Sequence, residues 1–402
     1  MRSKIVVIGG CGHVGLPLGV AFSLAGYDTL LMDSDRRAVG SVNEGHFPFL
    51  ERGGDEKLQA ALQQGLRASS DPQDCGDRDV FVFVVGTPVD EHLNPKLSDV
   101  IGTIDAYEPY VRSDSLVVMR STLFPGTMEH IRSRLQQSGK RAKLAFCPER
   151  VSQGYALEEI ETLPQVVSAF DDASFDSAYE LFRDIAPSVI RLTPIEAEMT
   201  KLMANSWRYL EFAIANQFYM IAESSGVDFY RVYDAIRYDY PRAQGYKSPG
   251  FAAGPCLFKD TMQLASFFDN KFYLGHSAML VNEGLASFAV EKLRKLFDNS
   301  LWGKKVAILG LAFKANNDDI RESLSFKVKK GLEFYGAEVL CHDPYRENER
   351  DLNEVLRMAD GAILCTPHRE YQALNINKPL VDVWGNYRTT NIEILPGFER
   401  NS

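Results

Sequence analysis

Lys4-Ile5-Val6-Val7-Ile8 runs straight into Gly9-Gly10-Cys11-Gly12-His13-Val14-Gly15, and an apolar stretch at 16–24 follows. The first five residues have the composition of a buried β-strand. Residues 10–15 match G-x-G-x-x-G, and residues 16–24 read as a helix. A second strand, 29–32, ends at Asp33. A strand, a glycine loop, a helix and a second strand closed by an acid about 20 residues on make a dinucleotide-binding βαβ unit. The glycines allow a tight turn and close approach to a pyrophosphate, and a helix N-terminus offers unpaired N–H groups to it. Gly10, Gly12, Val14 and Gly15 are therefore cofactor candidates. Asp33 would accept hydrogen bonds from the adenosine ribose and repel a 2′-phosphate, which favours NAD. Arg36 and Arg37 keep NADP open. The alternative is a glycine turn with no ligand, and the surrounding pattern weighs against it.

Further strands are read at 80–85, 116–119 and 144–146, consistent with a parallel, doubly wound sheet. The texture changes near Ile195. Residues 195–224 lack Pro and Gly, and apolar residues recur at helical spacing at Met199, Leu202, Met203, Leu210 and Ile214, so one long helix is expected. Helical pattern continues at 227–237, 259–268 and 276–297, around a Gly/Pro/Ala-rich loop at 244–255. After Leu301 strands return at 305–309, 338–341, 361–365 and 380–383. They repeat an earlier series: strand then Gly9, Asp33 or Thr87-Pro88 becomes strand then Gly310, Asp343 or Thr366-Pro367. The expected fold is α/β, with two Rossmann-like doubly wound domains joined by a central helical domain built on one long helix. The expected limits are 1–194, 195–298 and 299–402.

The 402 residues are enough for two or three domains. A net charge of −10 argues against a nucleic-acid binder, which would usually show a basic face, so no nucleic-acid partner is expected. The apolar runs are strand-sized, so no membrane partner is expected either. The N-terminal strand enters the glycine loop with no cleavage-site pattern, which reads as cytoplasmic. Cysteines 11, 75, 147, 256, 341 and 365 show no metal-site spacing, so no metal is expected and free thiols are.

Pro255-Cys256-Leu257-Phe258-Lys259-Asp260 follows the 244–255 loop and opens a helical stretch. The helix terminus would stabilise a Cys256 thiolate, Lys259 adds positive charge, and Asp260 lies one turn on. These residues alone leave Cys256 open between a nucleophile and an inert thiol. Lys201 and Asn205 form an i, i+4 pair on the long helix. A lone Lys is more often a solvated face, but Leu202, Met203, Ala204 and Trp207 leave little room for one, so Lys201 is a candidate for stabilising an oxyanion.

The chain resembles the UDP-glucose/GDP-mannose dehydrogenase family over nearly its whole length. The resemblance rests on Gly12-His13-Val14-Gly15-Leu16-Pro17-Leu18-Gly19; Asn43-Glu44-Gly45 with Pro48 and Glu51; Gly86-Thr87-Pro88; Ser121-Thr122 with Pro125-Gly126-Thr127; and Cys147-Pro148-Glu149-Arg150 with Gly154. Glu198, Lys201 and Asn205, the run 254–260, Leu309-Gly310-Leu311-Ala312-Phe313-Lys314, Asp319, Arg321-Glu322-Ser323 and Asp343-Pro344-Tyr345 complete it. It implies a four-electron oxidation of a sugar C6 alcohol to a carboxylate with two NAD, through a thiohemiacetal and then a thioester on Cys256. By the same resemblance Lys201 would stabilise the oxyanion beside Asn205, Asp260 and Thr122 would position a water, and Glu149 would act as acid/base. Val14, Asp33, Thr87, Thr122, Lys259 and Arg321 would face NAD. Glu149, Lys201, Asn205, Tyr246, Lys247, Gly250, Gly254 and Lys314 would face the nucleotide sugar. A homodimer through the long helix is implied too.

Ala253-Gly254, Pro255, Phe258 and His13 depart from the family's usual residues, which touches sugar shape more than the reacting groups. Cys147-Pro148-Glu149-Arg150, followed by Leu163-Pro164-Gln165, resembles members acting on UDP-N-acetylhexosamines. Cys256-Leu257 and Lys259-Asp260 resemble the UDP-glucose branch. The balance favours a UDP-N-acetylhexosamine over UDP-glucose, with GDP-mannose third. Two other readings stay open: a two-electron hydroxyacid-type dehydrogenase with Lys201 as base, and a catalytically silent NAD or nucleotide-sugar sensor.

Overall fold

The computed structural model describes residues 2–87, 96–346, 350–388 and 391–395. Pro88, in the Gly86-Thr87-Pro88 turn, lies outside the described residues. The chain forms two compact units, Met1–Asn205 with Lys259–Phe272, and Ser206–Phe258 with Tyr273–Ser402.

The first unit is built on eight strands: β1 (Lys4–Ile8), β2 (Asp28–Met32), β3 (Arg67–Ser69), β4 (Val80–Phe83), β5 (Leu116–Met119), β6 (Lys143–Phe146), β7 (Gln165–Ala169) and β8 (Val189–Leu192). Their order across the sheet is β3-β2-β1-β4-β5-β6-β7-β8. The first six follow the 3-2-1-4-5-6 order of a dinucleotide-binding sheet. Strand alternation divides two cores. Ile5, Val7, Leu31 and Val82 pack with Leu16, Val20 and Phe22 of helix Gly15–Leu24 and with Phe182. Val6, Ile8, Met32 and Phe83 pack on the opposite face with Ile104, Met128 and Ile131. Both faces of β1 are covered, so its run of aliphatic residues is unbroken.

The sheet corrects the all-parallel expectation. β7 runs antiparallel to β6, pairing Ala145 with Ala169 and Phe146 with Ser168, and β8 runs parallel to β7. Three strands escape sequence reading: β3 is three residues long, β7 carries Gln165 and Ser168, and β8 is a half-exposed edge. β4 also stops earlier than expected. Past Phe83, Val85 leaves the ladder because the Ser121 hydroxyl accepts its N–H at 2.8 Å and donates to its carbonyl at 2.7 Å.

Helix Pro194–Ser224 is the long helix read from the sequence. In the second unit, β9 (Lys305–Leu309), β10 (Glu338–His342), β11 (Gly361–Leu364) and β12 (Leu380–Asp382) form a parallel sheet in the order β10-β9-β11-β12. Its faces divide in the same way. Val306 and Ile308 pack with Leu285, Val290 and Leu293 of helix Tyr273–Leu296. Ala307 and Leu309 pack with Val355. Among the described residues no helix is long and apolar enough to cross a membrane.

The fold places the aromatic core of the first unit on Phe22, which is fully buried and meets Tyr27 and Phe182 edge-on at 6.0 and 5.8 Å. Phe22→Ala should lower unfolding free energy by about 3–5 kcal/mol. Urea denaturation checks this through a fall in midpoint at an unchanged slope.

Candidate active site

The glycine loop shows why each glycine is needed. A Cβ on Gly10 would lie 2.6 Å from the Val7 carbonyl oxygen, and one on Gly15 would lie 2.2 Å from that of Gly9. These two positions serve the turn and the packing of helix on strand. Gly12 differs, because a Cβ there would meet only the Gly9 oxygen, at 3.8 Å. Gly12 is thus the open side of the cradle, which leaves room for a pyrophosphate to approach the backbone. The helix that follows has no side-chain cap and no acid in its first turn, which leaves its N-terminal potential for an anion. Asp33 Oδ2 accepts the Cys11 N–H and Oδ1 accepts the Asp35 N–H, each at 3.0 Å. A carboxylate has about four acceptor positions, so room remains for ribose hydroxyls. The residues present fit a dinucleotide.

Helix Leu257–Phe267 starts one residue after Cys256. Lys259 Nζ reaches both the carbonyl and the hydroxyl oxygen of Thr87 at 3.2 Å. Asp260 is fully buried. Asn205 Nδ2 donates to its Oδ2 at 2.6 Å, and its Oδ1 lies 3.7 Å from Lys259 Nζ. One turn before Asn205 on the long helix, Lys201 is only 9 % exposed. A cation so nearly buried is unfavourable until an anion reaches it. Thr87 and Thr122 line one small cleft. Glu149 is buried and ion-paired with Arg120 through Oε2. Its Oε1 accepts the N–H groups of Arg150 and Val151 at 2.7 and 3.0 Å.

In the second unit Cys256 stands apart from the other cysteines. Of the six, it alone is classed as exposed. Burial pushes the thiols of Cys11 and Cys147 up to about 12 and that of Cys75 up to about 11, and it raises Cys365 as well. Those four are inert at neutral pH. Arg321 is held protonated chiefly by its bond to Asp319, whose Oδ2 accepts from the guanidinium at 2.6 Å, with the Cys256 charge adding to it. A cation beside an exposed sulfur at a helix start favours thiolate. Gly254 adopts φ +97°, and a Cβ there would lie 2.5 Å from the Phe313 ring. Its N–H meets the Glu322 carbonyl at 3.2 Å. A Cβ on Gly250 would lie 2.1 Å from the Trp384 ring. Tyr246 is half-buried and Lys247 is exposed in the same loop, and Lys314 is half-buried in the turn after β9.

Three stretches match the UDP-glucose/GDP-mannose dehydrogenase family: its NAD binding domain at residues 3–186, its central domain at 195–283 and its UDP binding domain at 307–387. The UDP-N-acetyl-D-mannosamine dehydrogenase of Methanocaldococcus jannaschii is 30% identical over 380 residues, covering 92% of this chain and 87% of that protein. The UDP-glucose 6-dehydrogenase of Haloferax volcanii is 30% identical over 396 residues, covering 91% and 92%. The solved UDP-glucose dehydrogenase of Pyrobaculum islandicum superposes with a TM-score of 0.88 at 28% identity, covering 96% of this chain and 94% of that one. The chain belongs to the UDP-glucose/GDP-mannose dehydrogenase family. It is an NAD-dependent nucleotide-sugar dehydrogenase.

Sequence reading assigns no role to several groups that hold the dehydrogenase's candidate residues. Arg120 is fully buried and binds the Cys147 carbonyl and Gln165 Oε1, both at 2.9 Å, besides Glu149. Glu198 accepts the N–H groups of Gly126 and Met128 at 2.7 and 2.8 Å, which fixes the turn after Ser121-Thr122. Burial raises its proton affinity against the pull of those amides. Asn216 grips Gly250 from both sides, with Nδ2 on its carbonyl at 3.0 Å and Oδ1 on its N–H at 2.8 Å. A polar residue inside a long apolar helix was the available clue for Asn216.

The geometry separates two glycine variants. Gly12→Ala should keep the parent melting temperature and weaken NAD binding by about tenfold or more, roughly 1.4 kcal/mol. Gly15→Ala should lose both stability and binding, because its Cβ meets backbone. Thermal melts with and without NAD, and calorimetric titration, read the two effects apart.

Proposed function

We propose that this dehydrogenase oxidises the C6 alcohol of a UDP-sugar to the carboxylate in four electrons, through a thiohemiacetal and a thioester on Cys256. The observation that carries the reading is the exposed Cys256 thiol beside Arg321, set against four buried thiols held well above neutrality. NAD, when bound, accepts hydride at each of the two oxidations. Lys201 neutralises the oxyanion, since its ammonium has little solvent to stabilise it otherwise. Asn205 orients Asp260. Cys256 attacks the aldehyde carbon, and after the second oxidation the acyl group stays on sulfur until water releases it. Asp260 and Thr122 position that water. Glu149, held by Arg120, receives or returns a proton. Val14, Asp33, Thr87, Thr122, Lys259 and Arg321 face NAD. Tyr246, Lys247, Gly250, Gly254 and Lys314 face the nucleotide sugar. The limits 1–194, 195–298 and 299–402 serve as NAD-binding, dimerising and nucleotide-sugar-binding domains, supported by the three family stretches.

For the sugar we favour a UDP-N-acetylhexosamine. Cys147-Pro148-Glu149-Arg150 supports it, as does the Methanocaldococcus jannaschii relative. UDP-glucose is the second reading, favoured by Cys256-Leu257 with Lys259-Asp260 and by the Haloferax volcanii relative. Oxidation should yield two NADH per sugar, and Cys256→Ala should abolish uronate formation. NADH absorbance across a panel of sugar nucleotides, with product analysis, checks both; normal turnover of Cys256→Ala would exclude the covalent route.

A homodimer through the long helix is also proposed. Trp207, Ile214, Phe218 and Ile221 form a single stripe on it at helical spacing, and all four are exposed. A stripe of this kind is uncommon on a monomer surface. Light scattering should return twice the chain mass, and Trp207→Glu with Phe218→Glu should return the chain mass alone.

A further inference from the structure

His368 follows β11 and is fully buried, yet no step of the proposed reaction uses it. Its Nδ1 accepts the Asn316 N–H at 2.9 Å. A ring nitrogen that accepts carries no proton, so the proton of the neutral imidazole is on Nε2. Nε2 donates it to Asp343 Oδ2 at 3.2 Å. The same Oδ2 accepts the N–H groups of Leu311 and Ala312 at 2.6 and 2.9 Å. One imidazole therefore ties down both ends of the turn 312–316: Ala312 through Asp343, and Asn316 directly. Lys314 is the middle residue of that turn. Two neighbours of His368 hold the same turn. Thr366 Oγ1 donates to the Ala312 carbonyl at 2.5 Å, and the Arg369 N–H donates to Asn316 Oδ1 at 3.0 Å. Asn316 itself sits at φ +56°, a left-handed conformation that a residue other than glycine keeps where its surroundings impose it. The rings of Tyr345 and Tyr371 pack on the imidazole at 5.0 and 5.7 Å, which fixes its plane. All of these residues belong to the second compact unit.

We propose that His368 is a positioning residue for nucleotide-sugar binding: by accepting the Asn316 N–H and donating to Asp343 it fixes the 312–316 turn, and so holds the Lys314 ammonium in place for the diphosphate of a UDP-sugar. This rests on the reading above that Lys314 faces the nucleotide sugar. The diphosphate is the charged part of such a molecule. A lysine meets phosphate as a point charge on a flexible stem, so its contribution depends on where its backbone is held. His368 touches no ligand and acts only through the turn. Its Nδ1 is the decisive atom, because Asp343 keeps Leu311 and Ala312 by itself, whereas the Asn316 N–H is bound to the imidazole.

The test uses the full-length protein with UDP as the probe, titrated by calorimetry, and NAD titrated alongside. His368→Gln keeps an amide N–H near the place of Nε2 but puts no acceptor where Nδ1 stood. It should weaken UDP binding by about tenfold, with NAD affinity near the parent's. His368→Asn puts an amide oxygen near the place of Nδ1, and should recover UDP affinity to within about threefold. Lys314→Ala should also weaken UDP binding. Adding His368→Gln to Lys314→Ala should then cost little more, because the two residues act through one contact. Parental UDP affinity in His368→Gln, or a further tenfold loss in the double variant, would overturn the assignment. If His368→Gln does not fold, His368→Asn still decides, since a tenfold loss with the acceptor in place contradicts it. Parental UDP affinity in Lys314→Ala would remove the reading of Lys314 itself, and is distinguished by needing no change at His368.

Discussion

A buried hydrogen bond of 2.6 Å, from Asn205 to Asp260, organises the candidate chemistry of the first unit. It joins residues far apart in sequence and ties the start of helix Pro194–Ser224 to helix Leu257–Phe267. Residues Lys259–Phe272 accordingly belong to the first compact unit, although the chain reaches them only after a long excursion. Lys259 then meets Thr87, in the loop four residues past β4. Asp260 cannot leave this arrangement cheaply: it is fully buried, and loss of Asn205 would leave a carboxylate with only a lysine at 3.7 Å.

A second constraint is repeated in both sheets. After β1, the Cys11 N–H is held by the carboxylate of Asp33, which follows β2. After β9, the Leu311 N–H is held by Asp343, which follows β10, at 2.6 Å. Gly9 and Gly310 both take positive φ at the strand exits. Their N–H groups bond to the carbonyls of Met32 and His342 at 2.9 and 2.8 Å. The same device shapes one loop expected to face NAD and another that carries Lys314. Asp343 is further secured by buried His368 at 3.2 Å, whose other ring nitrogen accepts the Asn316 N–H. Burial works to raise the Asp343 proton affinity, but His368 and the amides of Ala312 and Leu311 outweigh it and hold the carboxyl low.

Much of this was readable from the chain because it is local. The βαβ unit shows as a strand, glycines and an acid at fixed separations, and the long helix shows as a period. Strands β3, β7 and β8 were not readable, since three or four residues, or polar ones, carry no period. Long-range polar partners left no trace either. Arg120 looks like a charged residue at a strand end, yet it is fully buried between β5, Glu149 and Gln165. Cys256 lay between these cases. Its loop and helix start could be read, but its contrast with four buried thiols needed the packing of the whole chain.

The same division explains why the reaction is better defined than the sugar. Cys256 sits at a helix start, and Lys201, Asn205 and Asp260 on helices, so their spacing survives in sequence. The groups proposed to face the sugar lie in loops whose shape is set by distant side chains. Asn216 clamps Gly250 on both peptide groups, Trp384 closes the space beside it, and Phe313 closes the space beside Gly254. A hexose and its N-acetylated counterpart differ at C2, away from the C6 proposed to be oxidised. Under the proposed assignment, discrimination between them is then a matter of loop shape, set in part by neighbours such as Asn216 and Trp384 that no motif records.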